Sequence, residues 1–192
     1  MKKYKSIIIF GAPCTGKGTQ ARLLAKTGKY FHFSAGDIFR SLGSKTEIGK
    51  KISKLINKGE FVPDSLAAKL IKKSIKNLIY KKKYIPEKQI LILDGFPRNI
   101  KQIKFLKRVF NIIKIVHIRS NNKLLIIRMK KRIIKEKRED DREDVINNRL
   151  DIYKKETLPV LNKFDKKLII NIDGSENVKK VHKNIIKVLN SQ

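Results

Sequence analysis

The residues best suited to chemistry stand near the start of the chain, in Ile7 to Gln20, which reads IIIFGAPCTGKGTQ. An apolar run stops at Gly11 and passes through a turn that ends in Gly16-Lys17-Gly18-Thr19. This spacing is that of a phosphate-binding loop. A buried strand delivers the chain to the edge of a sheet, and small residues let backbone N–H groups close around phosphate oxygens. Lys17 adds a mobile positive charge, and a helix beginning there points its positive end at the same anion. Gly18 occupies the usual Ser/Thr position, so the hydroxyl comes one residue later, from Thr19. The plain alternative is a glycine-rich turn with no ligand. The strand before it and the helix-forming run Thr19 to Lys26 after it both argue for the loop.

A second set of candidates follows. The apolar run Gln89 to Leu93 ends at Asp94, and an acid at the carboxyl end of a buried strand beside a phosphate loop is placed to hold Mg²⁺, through water, with Thr19. Arg40 lies beyond the end of a strand, where ligands bind in open α/β sheets. Arg128 and Arg132 are four apart and share one helix face, where two like charges repel unless they face a polyphosphate. Arg138 and Arg149, eleven apart, fall on one side of an intervening helix. A solvated charged surface is the competing explanation for each arginine.

These side chains need elements to position them. Predicted strands are Ile7 to Phe10, Lys29 to Phe33, Gln89 to Leu93, Ile112 to Ile118 and Leu168 to Ile172, the third a continuous apolar run of the kind found inside parallel sheets. Ser34 to Val62 reads as a small helical excursion, with Ile48, Ile52, Leu55 and Ile56 on one buried face and Gly59 ending the helix. Leu66, Leu70, Ile71, Ile75, Leu78 and Ile79 form a helix stripe, Lys81 to Lys83 a solvated turn. A closing helix carries Val178, Val181, Ile185, Val188 and Leu189 inward.

With 192 residues, a chain of this size is expected to form one domain with insertions, burying roughly 70% of its unfolded surface. Cys14 is the only cysteine, which excludes disulfide frameworks and cysteine-rich metal sites within the chain and fits a reducing compartment. His32, His117 and His182 have no ligand spacing and read as ordinary strand or helix residues. The basic start and apolar run at residues 1–10 superficially resemble a secretory signal, but the run is too short and polar residues follow at once. No segment approaches a membrane span, so a cytoplasmic protein is expected. The formal charge of +30 raises nucleic-acid binding. The lysines are spread along the whole chain, however, and A/T-rich codons for Lys, Ile and Asn would enrich them without any such role.

Five motifs stand in the order found in adenylate kinases: GAPCTGKGTQ, SAGDIFR at 34–40, Gly59-Glu60-Phe61-Val62-Pro63-Asp64, Asp94-Gly95-Phe96-Pro97-Arg98, and Arg138-Glu139-Asp140-Asp141. The chain resembles that nucleoside monophosphate kinase family, in its short-lid form, over nearly its whole length. The resemblance implies an α/β, three-layer P-loop nucleotide kinase fold with a parallel five-stranded sheet flanked by helices. It divides the chain into a core (1–33, 63–130 and 142–192), a nucleoside-monophosphate-binding insertion (34–62) and a short lid (131–141). The lid's tip, Ile133 to Lys137, lacks the glycines usual in short lids.

The resemblance further implies the reaction MgATP + AMP ⇌ MgADP + ADP. Cys14, Thr15, Gly16, Lys17, Gly18, Thr19, Arg128, Arg132 and the backbone at Glu176 would bind ATP. Ala35, Arg40, Glu60, Phe61, Val62, Gly95, Phe96, Pro97, Arg98, Gln102, Arg138 and Arg149 would bind AMP, with Phe96-Pro97 cis and Gln102 reading the adenine edge. Lys17, Arg98, Arg132, Arg138 and Arg149 would stabilise the transferring phosphoryl group. Mg²⁺ would enter with ATP, and no structural zinc, specific nucleic acid or membrane is implied; the expected state is a monomer. Cys14 replaces a residue commonly glycine or another small residue, and its thiol near a helix N-terminus is expected to be more acidic than a free one. Ser34-Ala35-Gly36 and Arg98-Asn99 are similar to UMP/CMP kinases instead, against which Gln102 weighs. An inactive scaffold that binds nucleic acid is the alternative of another class.

Overall fold

The computed structural model describes residues 3–43, 46–136 and 143–191. Its centre is a sheet of five parallel strands, β1 (Tyr4–Phe10), β2 (Tyr30–Ser34), β3 (Ile90–Asp94), β4 (Phe110–Arg119) and β5 (Ile169–Asp173), in the spatial order β2-β3-β1-β4-β5. Ile7 pairs with Ile92 on one side and Lys114 on the other, so β1 is the middle strand. Its continuous apolar run follows from burial on both faces.

Side chains alternate across a strand, and the two faces of β1 feed two separate cores. Ile8 and Phe10 pack with Leu91, Leu93, Ile71, Ile75 and Leu106. Ile7 and Ile9 pack with Ile92, Val116, Ala21, Leu24, Val181 and Ile185. The first face is therefore covered by α4 (Asp64–Tyr80) and α5 (Ile103–Val109), the second by α1 (Lys17–Ala25) and α8 (Val178–Asn190). The result is the expected three-layer α/β fold.

All five strands run in one direction, so their carboxyl ends share one edge. The chain moves from β1 toward β2 and β3 on one side and returns to β4 and β5 on the other. The crevice at this reversal, at the end of β1, is where open α/β sheets bind ligands. The glycine-rich loop occupies it.

Between β2 and α4 lie α2 (Ala35–Ser41) and α3 (Glu47–Asn57). Ser34 Oγ accepts from the Asp37 N–H at 3.2 Å and Thr46 Oγ1 from the Gly49 N–H at 3.0 Å, so each helix starts with a side-chain cap. α3 ends at Gly59, whose φ of 76° lets the Glu60 N–H reach the Leu55 carbonyl at 2.9 Å. Ile52, Val62 and Ala67 make a small separate core. Ile48, expected on that buried face, is 51% exposed, and Val178, expected inward on α8, is 50% exposed. Both sit in the first turn of their helix, on the same face as the buried residues but at the end of the stripe.

α6 (Asn122–Glu136) and α7 (Glu143–Ile152) complete the helices. α6 continues through Glu136, so Ile133 to Glu136, expected to form the tip of the lid, are helical; a stretch without glycine or proline has nothing to end the helix there. Lys137 and the Arg138 to Asp141 motif lie outside the described residues. No described helix is long and apolar enough to cross a membrane.

Candidate active site

The loop after β1 is held open by its own backbone. Gly11 has φ 146°, and a Cβ there would lie 2.4 Å from the Ile118 carbonyl oxygen on β4. No other residue fits without moving the sheet. Thr15 donates its hydroxyl to the Ala12 carbonyl at 2.9 Å, and Lys17 Nζ donates to the same oxygen at 2.7 Å. Cys14 adopts φ 65°, a left-handed conformation uncommon outside glycine, as its position in the motif implies. α1 begins at Lys17, so its unpaired N–H groups face the loop's hollow.

Around this loop the arginines converge. Lys17, Arg40, Arg98, Arg128, Arg132 and Arg149 line one cleft of about 460 Å³. They come from α1, α2, the loop after β3, α6 and α7, elements far apart in sequence but gathered at the carboxyl edge of the sheet. Thr15, Gly16, Gly18, Thr19, Asp94, Pro97 and Glu176 share the wall.

The arginines are braced from beneath. Arg98 donates from Nε to the Gly95 carbonyl at 3.0 Å and from its backbone N–H to Gln102 Oε1 at 2.8 Å. Its own carbonyl accepts from Thr157 Oγ1 at 2.7 Å. Its guanidinium lies 5.6 Å from the centre of the Phe61 ring, a cation–π distance. The Phe96-Pro97 peptide bond is cis. Arg40 is ion-paired with Asp37 one turn earlier. Arg128 bridges the two halves of the site, donating to the Thr15 carbonyl at 3.3 Å and to the Glu176 carbonyl at 3.4 Å.

Lys17 carries the electrostatic signature of this crowding. Burial pushes its pKa down to about 8; Asp94 and Cys14 oppose the shift, while Arg98 and Arg149 add to it. Arg98 and Arg149, cations suited to a polyphosphate, thus act on Lys17 in the direction opposite to that of an anion.

A narrow annex opens from the cleft between the α2–α3 insertion and the loop after β3. Glu60, Phe61, Val62, Gly95, Phe96 and Gln102 line it, with Arg40, Arg98 and Arg149 at its mouth. α7 closes one side: Asn148 Nδ2 donates to the Lys58 carbonyl at 2.9 Å, and a Cβ on Gly59 would lie 3.0 Å from the Val145 carbonyl oxygen.

Of the residues expected at the site, Ala35 departs. It is 1% exposed and packs into the core, because its methyl group is apolar, and it lines neither the cleft nor the annex. Arg138 lies outside the described residues. Several neighbours were missed. His32 Nε2 is 3.1 Å from Asp94 Oδ2, so it is more than the ordinary strand residue expected. Asp37, also missed, stands three residues before Arg40, a spacing that could have revealed the pair. Arg22, Lys131, Tyr153 and Thr157 also line the cleft, but nothing in their spacing sets them apart from surface residues.

The sequence profile of adenylate kinase matches residues 9–169. The chain belongs to the adenylate kinase family. The adenylate kinase of Borrelia garinii subsp. bavariensis is 32% identical, over 95% of this chain and 97% of its own. That of Prochlorococcus marinus MIT 9301 is 34% identical over 96% and 97%, and that of Synechococcus sp. CC9902 33% over 95% and 97%. Membership of the adenylate kinase family makes this chain a phosphotransferase, a nucleoside monophosphate kinase.

Proposed function

We propose that this protein catalyses reversible transfer of the terminal phosphoryl group of MgATP to AMP, giving two ADP. The observation that carries this reading is the convergence of Lys17, Arg40, Arg98, Arg132 and Arg149 on one cleft. Arg138 is included on its motif alone. ATP would lie with its phosphates in the loop from Cys14 to Thr19 and its base between Arg128 and the Glu176 backbone. AMP would enter the annex, its phosphate against Arg40, Arg98 and Arg149 and its adenine against Gln102 and the backbone of Glu60, Phe61 and Val62.

An acceptor phosphate is already ionised, so no general base is needed. Catalysis is alignment plus neutralisation of charge developing on the transferring group. Lys17, Arg132 and Arg149 supply that charge, and Arg98, braced by Gly95, Gln102 and Thr157, fixes the acceptor oxygen. The annex and cleft, once filled, leave little room for water as a competing acceptor.

The donor set suits a hard cation. Asp94 and Thr19 offer oxygens on the same wall as Lys17, and among the described residues no three His, Cys, Asp or Glu gather into a metal-holding group. A cation here would draw most of its oxygens from nucleotide and water, as Mg²⁺ prefers. When bound with ATP, Mg²⁺ supplies charge stabilisation on the phosphate oxygens.

The reading also takes residues 34–62 and 131–141 as insertions on a core of 1–33, 63–130 and 142–192; the first is supported by Ile52 and Val62, which pack with Ala67 of α4 apart from the two main cores. A cytoplasmic monomer is proposed, because one chain supplies the cleft's walls. One assay tests the function: ADP formation from ATP with AMP, UMP or CMP as acceptor. AMP should be preferred, and Arg98→Ala should lower kcat/KM for AMP by about 10²–10³. Preference for UMP or CMP would overturn the AMP assignment in favour of a pyrimidine monophosphate kinase. No transfer to any of the three, with salt-sensitive RNA binding, would favour the nucleic-acid alternative.

A further inference from the structure

Gln102, which lines the annex and braces Arg98, is also bonded to Asp64, which the phosphoryl-transfer reading does not use. Asp64, the first residue of α4, accepts from Gln102 Nε2 at 2.8 Å and from Asn99 Nδ2 at 2.9 Å, both on its Oδ1. At the other end of the same amide, Gln102 Oε1 accepts from the Arg98 backbone N–H at 2.8 Å. Asn99 Oδ1 accepts from the Gln102 backbone N–H at 3.1 Å, which leaves its Nδ2 facing Asp64. Gln102 is 5% exposed, so water does little to hold it.

The direction of this amide follows from its neighbours. A carboxylate only accepts and a backbone N–H only donates, so Nε2 must face Asp64 and Oε1 must face Arg98. Turning the amide over would set Oε1 against a carboxylate and Nε2 against an N–H, leaving buried groups unpaired. In the observed direction each end keeps one unused function: a lone pair on Oε1 and an N–H on Nε2.

We propose that Asp64 is a positioning residue for base selection: by fixing which way the Gln102 amide faces, it makes the annex select 6-aminopurine over 6-oxopurine monophosphates. The 6-aminopurine edge presents an exocyclic N–H donor beside a ring-nitrogen acceptor, matching the remaining acceptor and donor on Gln102. A 6-oxopurine presents the reverse, a carbonyl acceptor beside a ring N–H donor, and meets like with like. Without Asp64 only the Arg98 N–H still penalises reversal of the amide, so the preference for one edge weakens. The inference rests on the AMP reading above and goes beyond it, because it assigns discrimination to a residue that need not touch the base.

The experiment compares kcat/KM for AMP and for inosine monophosphate in the wild type, Asp64→Ala, Asp64→Ser and Asp64→Asn, with ATP as donor. Loss of the orienting bond should lower the AMP-to-IMP ratio about tenfold in the Ala and Ser variants. Asp64→Asn should keep the ratio within about twofold, since its side-chain oxygen accepts the same two bonds. Serine suits the start of a helix, so poor folding of the Ala variant leaves the test intact. In a Gln102→Ala background, Asp64→Ser should no longer change the ratio, as expected when one residue acts through another. An unchanged ratio in a folded Ser variant with normal KM for ATP would overturn the inference alone, as would the same loss of ratio without Gln102. A wild type that fails to use AMP would overturn the functional reading and this inference with it.

Discussion

Lys17 Nζ donates to the Ala12 carbonyl oxygen across 2.7 Å, folding the lysine back onto the loop it belongs to. The side chain thus curls into the hollow of the loop, with its pKa pushed down to about 8 mainly by burial. A polyphosphate in that hollow replaces a neutral carbonyl partner with full negative charges, which raises the pKa again.

Nucleotide binding should therefore be coupled to proton uptake. The empty protein releases the Lys17 proton near pH 8, whereas the complex holds it to higher pH. ATP affinity is fully present below that value and falls as pH rises through it. Calorimetry in buffers of different ionisation enthalpy at pH 8.5 should report net proton uptake, and Lys17→Met should abolish it. Folding stability of the empty protein runs the opposite way. The lowered pKa means the unfolded chain binds more protons between about pH 8 and the ordinary lysine value of 10.5, so this group's contribution to stability rises with pH across that window.

Cys14 makes the second prediction. Its φ of 65° places a side chain where glycine is at ease, a cost of about 1–2 kcal/mol for an ordinary residue. Cys14→Gly relieves that strain but frees the unfolded chain, which offsets about 0.4–1 kcal/mol of the gain. The variant should be slightly more stable by chemical denaturation and retain phosphoryl transfer. Cys14 is only partly buried and lines the cleft, so alkylation of the wild type should slow turnover and saturating ATP should protect it. Full activity after confirmed modification of Cys14 would mean that the thiol points away from the bound phosphates.

The three-layer architecture was legible because it is written in local patterns. The run Ile7 to Phe10 and the run ending at Asp94 announce strands buried on both faces, and Gly11 to Lys17 announces the loop between strand and helix. Gly59 ends α3 as its φ requires. What periodicity could not supply is where an amphipathic stripe begins, hence Ile48 and Val178, both first-turn residues that face solvent. Nor could it supply contacts closed by pairing of distant strands. His32 reaches Asp94 only because β2 and β3 are neighbours, with Ser34 opposite Asp94. Asp64 reaches Gln102 only because α4 and the turn after Pro97 meet at one edge of the sheet. The arginines were recognised by motif, but their convergence is a property of topology: parallel strands bring every strand's exit to the same side.

His117, on β4, carries the last prediction. It is 8% exposed, with Nδ1 3.1 Å from Asn171 Oδ1 and Nε2 3.1 Å from the Tyr153 hydroxyl. The amide oxygen only accepts, so the proton of the neutral ring belongs on Nδ1, and Nε2 accepts from Tyr153. Burial lowers the His117 pKa below its ordinary value of 6.5, outweighing the hydrogen bond to Asn171, and Arg119 and Lys17 add to the lowering. Burial likewise pushes the Tyr153 hydroxyl up to about 12, keeping it a donor. The unfolded chain then binds more protons than the folded one just below pH 6.5, so stability from this group is full above 6.5 and is lost as pH falls through the lowered folded value. His117→Phe should cost about 1–3 kcal/mol at neutral pH, because Tyr153 and Asn171 are left without their partner. The same variant should flatten the decline in stability between neutral and mildly acidic pH, measured by urea unfolding at a series of pH values. Because Tyr153 lines the nucleotide cleft, the variant should also weaken ATP binding at pH 7.5; wild-type affinity with reduced stability would confine the network to a structural role.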